Sequence, residues 1–226
     1  IWSYTPRHMS FEPERRVLLY EAEIVLIVNE LALKIGSDFK SSGQQELVLL
    51  CVLQSAKTLT LELQEALKQL GIEASITNMK ASSYGENTVS NGKPTYKISK
   101  EKINSLKDKC AWVVDDMVDT GNTLCGLIEF FANKKISVNT VVLLRKNKDV
   151  SADNQKIVRA VLSGIEIPNL WVDGYGIDSA RKNRKKRDIW AVITTDEQRV
   201  LWMLFRAKMD QMKQARTAEQ SASTIQ

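Results

Sequence analysis

The sequence predicts an α/β domain with a mainly parallel sheet, and three observations carry that expectation. Apolar runs short enough to be strands alternate with stretches of helical periodicity from residue 21 to residue 144. Residues 46–81 read strand, helix, strand, an order that a right-handed crossover joins in parallel. Residues 111–132 read strand, polar loop, helix, the unit from which such sheets present ligand sites. A length of 226 residues with 43% hydrophobic content suits one large packed domain, placed at residues 11–217.

The order begins with residues 21–39, where Ile24, Val25, Val28, Leu31, Ala32 and Ile35 recur at helical spacing and make an amphipathic helix. Residues 46–53 are a nearly continuous apolar run, the pattern of a strand buried on both faces. A second helix opens at Ser55 and runs to Leu70, where Gly71 offers the left-handed conformation that ends helices. Residues 72–81 are a further strand. The stretch 81–92 is rich in Ser, Gly and Asn and longer than most connections, so it is a lid, a hairpin tip or a disordered loop. A short polar helix or turn at 100–109 leads into the central strand, followed by a helix to 133 and a β-branched strand at 137–144. Residues 189–193 are a strand. Thr195 and Gln198 form a capping box for a long last helix in which Leu201, Leu204, Phe205, Met209 and Met212 make one stripe, against the core or a partner subunit. From residue 218 the composition is that of a disordered tail, and residues 1–10 read as disordered or as a non-native remnant.

Chemistry concentrates between Ala111 and Leu124. A β-branched run ends in Asp115, Asp116 and Asp119, followed by the turn Thr120-Gly121-Asn122-Thr123. A helix opening at Gly121 or Asn122 leaves its first N–H groups unpaired, a ready phosphate site to which Thr120 and Thr123 add hydroxyl donors. Adjacent carboxylates at a strand's carboxyl end suit the two hydroxyls of a ribose, or a Mg²⁺ that keeps several waters. Asp119, nearer the phosphate cradle, is left free for proton transfer. An ordinary buried strand and capped helix is the competing reading, but it leaves three carboxylates beside an anion-binding turn without a purpose.

This stretch resembles the phosphoribosyl-pyrophosphate (PRPP) signature of the type I phosphoribosyltransferases. The resemblance implies that family's fold, a twisted parallel sheet flanked by helices with a small hood over the base site. It also implies that Asp115 and Asp116 hold the ribose and Mg²⁺, and that Asp119 to Thr123 hold the 5′-phosphate. The loop at Gln54-Ser55 stands where the family has a Leu-Lys-Gly-Gly pyrophosphate loop; lysine and first glycine are replaced, so the backbone or Lys57 must serve. Ser83-Tyr84 resembles the mobile Ser-Tyr-Gly lid of the purine-salvage branch.

A second match lies at residues 165–178, where Glu166-Ile167-Pro168 and Trp171-Val172-Asp173-Gly174-Tyr175-Gly176-Ile177-Asp178 resemble the purine-binding segment of hypoxanthine-guanine phosphoribosyltransferases. Carried over, Trp171 stacks on the base, the Val172 carbonyl accepts from its edge, Asp178 holds Mg²⁺ shared with pyrophosphate, and Arg184 binds pyrophosphate. Arg159, nine residues before Pro168, takes the place of a lysine that donates to the purine 6-oxygen, with Lys156 close enough to substitute. Asp173 replaces an apolar residue. The implied reaction joins PRPP to hypoxanthine or guanine, giving IMP or GMP and pyrophosphate, in a cytoplasmic homodimer or homotetramer.

Composition removes other classes. One histidine excludes a His-centred triad, and Cys51, Cys110 and Cys125 sit in apolar runs without metal or redox spacing. No apolar stretch is long enough to span a membrane. The net charge of +5 and the run at residues 181–187 suit anionic substrates, but also a non-catalytic relative that binds PRPP or a nucleotide and nucleic acid.

Overall fold

A computed structural model describes residues 12–82, 95–177, 183 and 185–224. The elements in chain order are β1 (Glu14–Leu19), α1 (Glu21–Ser42), β2 (Leu47–Leu53), α2 (Lys57–Gln69), β3 (Ala74–Ser82), β4 (Thr95–Lys97), α3 (Lys100–Asn104), β5 (Cys110–Val118), α4 (Asn122–Ala132), β6 (Asn139–Asn147), α5 (Ala152–Ala160), β7 (Leu162–Pro168), β8 (Trp171–Gly174), β9 (Ile189–Ile193) and α6 (Asp196–Thr224).

Six strands form the main sheet in the order β4-β3-β2-β5-β6-β7. All its pairings are parallel except that of β4, which lies antiparallel on the β3 edge. β2 and β5 are central, and their first six residues are buried, as continuous apolar runs require in a sheet covered on both faces. α1 packs on α2 and on β6 and β7, while α4 pairs with α5. A smaller antiparallel sheet, β1-β9-β8, takes over where β7 ends, so the chain from Pro168 to Gly174 passes directly from the carboxyl edge of the main sheet into the second.

Several ends differ from the sequence reading. α2 begins at Lys57 because Gln54, Ser55 and Ala56 form a turn. Gly71 does end it, with φ of 74° and the Ile72 N–H returning to the Leu67 carbonyl at 3.0 Å. The capping box of α6 is shared between two threonines: Gln198 N–H donates to Thr195 Oγ1 at 3.2 Å, while Gln198 Oε1 accepts from the Thr194 N–H at 2.8 Å. The single α6 stripe is split, for Phe205 and Met209 are buried whereas Leu201 and Leu204 are exposed. Leu204 and Phe205 are neighbours about 100° apart around the axis, so they cannot share one narrow face. α6 also runs on to Thr224, past residue 218 where composition predicts disorder; just before that point Arg216 pairs with Glu30 of α1.

Candidate active site

β5 carries Asp115 and Asp116 toward its carboxyl end, with Asp115 level with Val142 of β6. Asp115 is buried and Asp116 half-buried. Asp115 Oδ1 accepts from the Asp116 N–H at 3.0 Å, and Asp116 Oδ1 accepts from the Met117 N–H at 2.9 Å. Burial and then the Asp116 charge push Asp115 well above the usual carboxylate range. Burial raises Asp116 too, against hydrogen bonds from Asp115, the Met117 amide and the Ser55 hydroxyl. Ser55, two residues past the end of β2, thus meets Asp116, and the Leu53–Gln54 peptide just before it is cis.

Among the described residues no group of three or more His, Cys, Asp or Glu gathers into a metal cage. Two crowded carboxylates that resist ionisation fit a hard divalent cation, and Mg²⁺ characteristically takes one or two protein carboxylates and fills its shell with water and phosphate. Asp115 and Asp116 are the residues that would hold it.

α4 opens at Asn122, with Gly121 at φ of 83° as its cap. A side chain at Gly121 is excluded twice over, since its Cβ would fall 2.7 Å from Val158 Cγ2. α5 presses on this turn: Asn154 Nδ2 donates to the Thr120 carbonyl at 3.2 Å and to Asn122 Oδ1 at 2.7 Å. From the other side Tyr96 of β4 donates its hydroxyl to the Thr123 carbonyl at 2.9 Å. The Thr120 to Thr123 turn is therefore braced by two elements that the periodicity did not reveal, and its N–H groups are preset for an anion.

Asp119 is not free. Lys146 Nζ lies 3.1 Å from Asp119 Oδ2, and Lys148 pairs with Oδ1. Burial opposes ionisation of Asp119, but the two lysines outweigh it and hold its pKa below the ordinary carboxylate value. Lys146 comes from the last turn of the β6 ladder, one residue past the Val118–Arg145 pair, and its side chain is only 8% exposed. This buried cation beside Asp119 is absent from the sequence reading; its signal was a lysine at the carboxyl end of an apolar strand.

Arg159 is placed elsewhere. It stands exposed in the last turn of α5, three residues before Leu162, which pairs with Val141 near the start of β6. Lys146 is five residues farther along β6, roughly 16 Å at the usual strand rise. Counting back from Pro168 lands on an exposed position of the crossover helix α5, not on the strand that ends beside Asp119. Lys156 belongs to the same helix and lines a cavity with Trp112 and Asn139.

Trp171 opens β8 with 61% of its surface exposed, a large aromatic unsatisfied by the core, while Val172 is buried. Asp173, unexplained by the sequence, is a buried carboxylate held by Arg15 of β1 and by Asn183 Nδ2 at 3.1 Å. Tyr175 donates its hydroxyl to Glu62 of α2, and Arg187 binds Glu62 at 3.0 Å and Glu21 at 2.7 Å. Gly176, at φ of 90°, brings this segment against the Ser55 carbonyl, which a Cβ would approach to 2.9 Å. The Gly174–Gly176 segment and the turn at Ser55 therefore touch. In the basic run Arg187 serves the fold and Lys186 lies 4.7 Å from the Trp190 ring centre. Ser83, Tyr84, Asp178 and Arg184 lie outside the described residues.

A mainly parallel sheet that brings paired carboxylates, the Thr120 to Thr123 turn and a buried lysine toward its carboxyl end has the layout of a sugar-phosphate site. The phosphoribosyl transferase domain family model matches residues 18–180, and the chain belongs to that family. Within it, the chain is 31% identical over 172 residues to the hypoxanthine-guanine phosphoribosyltransferase of Dictyostelium discoideum, covering 76% of this chain and 91% of that one. The Bacillus subtilis (strain 168) enzyme of the same name is 32% identical over 170 residues, covering 75% of this chain and 88% of its own. The crystal structure of the Leishmania donovani hypoxanthine-guanine enzyme superposes with a TM-score of 0.67 at 30% identity, over 79% of this chain and 99% of that one. The hypoxanthine phosphoribosyltransferase of Trypanosoma cruzi, in complex with the product IMP, gives a TM-score of 0.65 at 31% identity, over 85% and 99%.

Proposed function

We propose that this chain is a purine-salvage enzyme that transfers the 5-phosphoribosyl group of PRPP to a 6-oxopurine, hypoxanthine or guanine, releasing IMP or GMP and pyrophosphate. The carrying observation is the meeting of Asp115-Asp116, the Thr120 to Thr123 turn and the Lys146–Asp119 pair at the carboxyl edge of one sheet. The turn would take the 5′-phosphate through backbone N–H groups, and the acidic pair the ribose hydroxyls. Mg²⁺, when bound, neutralises charge on the departing pyrophosphate. Trp171 would stack on the base and the Val172 carbonyl would accept from its edge. Lys146 would donate to the 6-oxygen, leaving Asp119 to accept the proton at N7. The family's hypoxanthine-guanine enzymes favour this reading over a non-catalytic sensor that binds nucleic acid. We further propose that the chain works as a homodimer or homotetramer. Among the described residues no helix is long and apolar enough to cross a membrane.

The test is direct. Hypoxanthine absorbance should fall only with PRPP and Mg²⁺ present, with IMP and pyrophosphate appearing in equal amounts. Binding of PRPP without turnover of any purine would overturn the enzyme.

A further inference from the structure

α6 carries two stripes of identical spacing, an inner one and an outer apolar one. Trp202, Phe205, Arg206 and Met209 stand at i, i+3, i+4 and i+7 and face inward: Phe205 and Met209 are buried, Trp202 Nε1 donates to the Val17 carbonyl at 2.9 Å, and Arg206 binds Glu23 at 2.8 Å. Val200, Met203, Leu204 and Ala207 repeat the same spacing on the opposite side, and the three large ones are 54%, 56% and 64% exposed. A helix needs one such stripe to dock on its own domain. The second is not explained by the catalytic domain, whose family match ends at residue 180, before α6 begins.

The ends of the outer stripe are charged with opposite sign. Asp196 stands at its start, with 80% of its side chain exposed, and the exposed Lys208 lies past its apolar centre. When two copies of α6 lie antiparallel, Val200 meets Leu204 of the partner subunit at the same offset at which Asp196 meets Lys208 of the partner subunit. One register satisfies the apolar and the ionic pairs together, and the twofold axis doubles each of them. Self-complementarity of this kind is what an isologous interface demands, and it selects a second copy of this chain over an unrelated partner.

We propose that the outer face of α6 is the surface through which two copies of this chain pair, antiparallel about a twofold axis. The inference rests on the homo-oligomer proposed above and is independent of the catalytic assignment. Light scattering coupled to size exclusion tests it on the full chain. Leu204→Glu, at an exposed position that leaves the inner stripe intact, should halve the particle mass while the far-ultraviolet spectrum stays unchanged. Asp196→Lys and Lys208→Asp should each weaken pairing at least tenfold, because each homodimer then faces like charges across both ends. Mixing the two variants should restore the pair, since one chain brings two positive ends to two negative ones. A single-chain mass for the wild type overturns both the oligomer and the interface. An oligomer whose mass survives Leu204→Glu, or charge variants that fail to recover on mixing, overturns the interface alone.

Discussion

Lys146 Nζ and Asp119 Oδ2 lie 3.1 Å apart, so the cation and the carboxylate to which the proposed reaction gives separate tasks hold each other. If Lys146 turns to the purine oxygen, Asp119 keeps a cation only through Lys148. Lys148→Met removes that support. The Asp119 pKa, held low by the two lysines, should then rise toward the ordinary carboxylate value, because a lost cation favours the protonated form. The acid limb of the kcat profile should move to higher pH, and Lys148→Arg should bring it back. Asp119→Asn should cost turnover roughly 10²- to 10⁴-fold, the range of acid–base assistance. Full turnover of Asp119→Asn at saturating substrates would remove the proton-transfer role.

Asp115 is placed where ligand binding benefits and folding suffers. Burial and its neighbour Asp116 raise its pKa, so between the unfolded and folded values the native state binds more protons than the unfolded chain. Stability therefore falls as pH rises through that window. Asp115→Asn should raise the Tm of the ligand-free protein at neutral pH, by about 2–4 °C for each kcal/mol of relieved destabilisation in a chain of this size. The same change should weaken PRPP binding in the presence of Mg²⁺, measured by calorimetry. A lower Tm would mean that the pair stabilises the fold instead.

Arg15 of β1 and Asp173 of β8 join the two outer strands of the smaller sheet across β9. Asp173 is almost fully buried whereas Arg15 is about one-third exposed, so removing the arginine leaves the carboxylate without its cation. Breaking such a pair from one side costs up to about 3–5 kcal/mol when both groups are buried, and less here because solvent reaches Arg15. Arg15→Met should destabilise the protein more than the double variant Arg15→Met, Asp173→Leu. Chemical denaturation of the four proteins in this cycle measures the difference; a double variant worse than Arg15→Met alone would show that the charge pair is not what Asp173 provides.

The alternation of strands and helices was legible because the parallel core leaves continuous apolar runs such as residues 47–53, and the phosphate turn because Gly121 and its threonines lie together in the chain. What escaped depends on contacts between distant segments. Asn154 and Val158 brace the phosphate turn across more than thirty residues of sequence. Asp173 makes sense only beside Arg15, which precedes it by 158 residues. β1 and β4 are short edge strands whose residues carry mixed charge and polarity, and no period marks them. Counting nine residues back from Pro168 gives Arg159 in the crossover helix α5. The sheet register instead sets Lys146 level with Ile167, and its side chain reaches Asp119.

Base choice then follows from donors and acceptors. Lys146 is a donor only, so it matches the 6-oxygen of hypoxanthine or guanine and cannot accept from the 6-amino group of adenine. Adenine would set donor against donor in a buried site, at about 1–3 kcal/mol for each unsatisfied group, and sites built to bond one polar group discriminate by up to about 10⁴ or more. The Val172 carbonyl would accept from the 2-amino group of guanine but repel the 2-oxygen of xanthine. Hypoxanthine and guanine should therefore exceed xanthine, and adenine should trail all three in kcat/KM. Lys146→Gln, whose amide can present either a donor or an acceptor, should lower kcat/KM for hypoxanthine and narrow its lead over adenine. Arg159→Ala, at an exposed position of α5, should change neither. If instead Arg159→Ala abolishes the preference and Lys146→Gln preserves it, the base is read from α5 and the site proposed here is wrong.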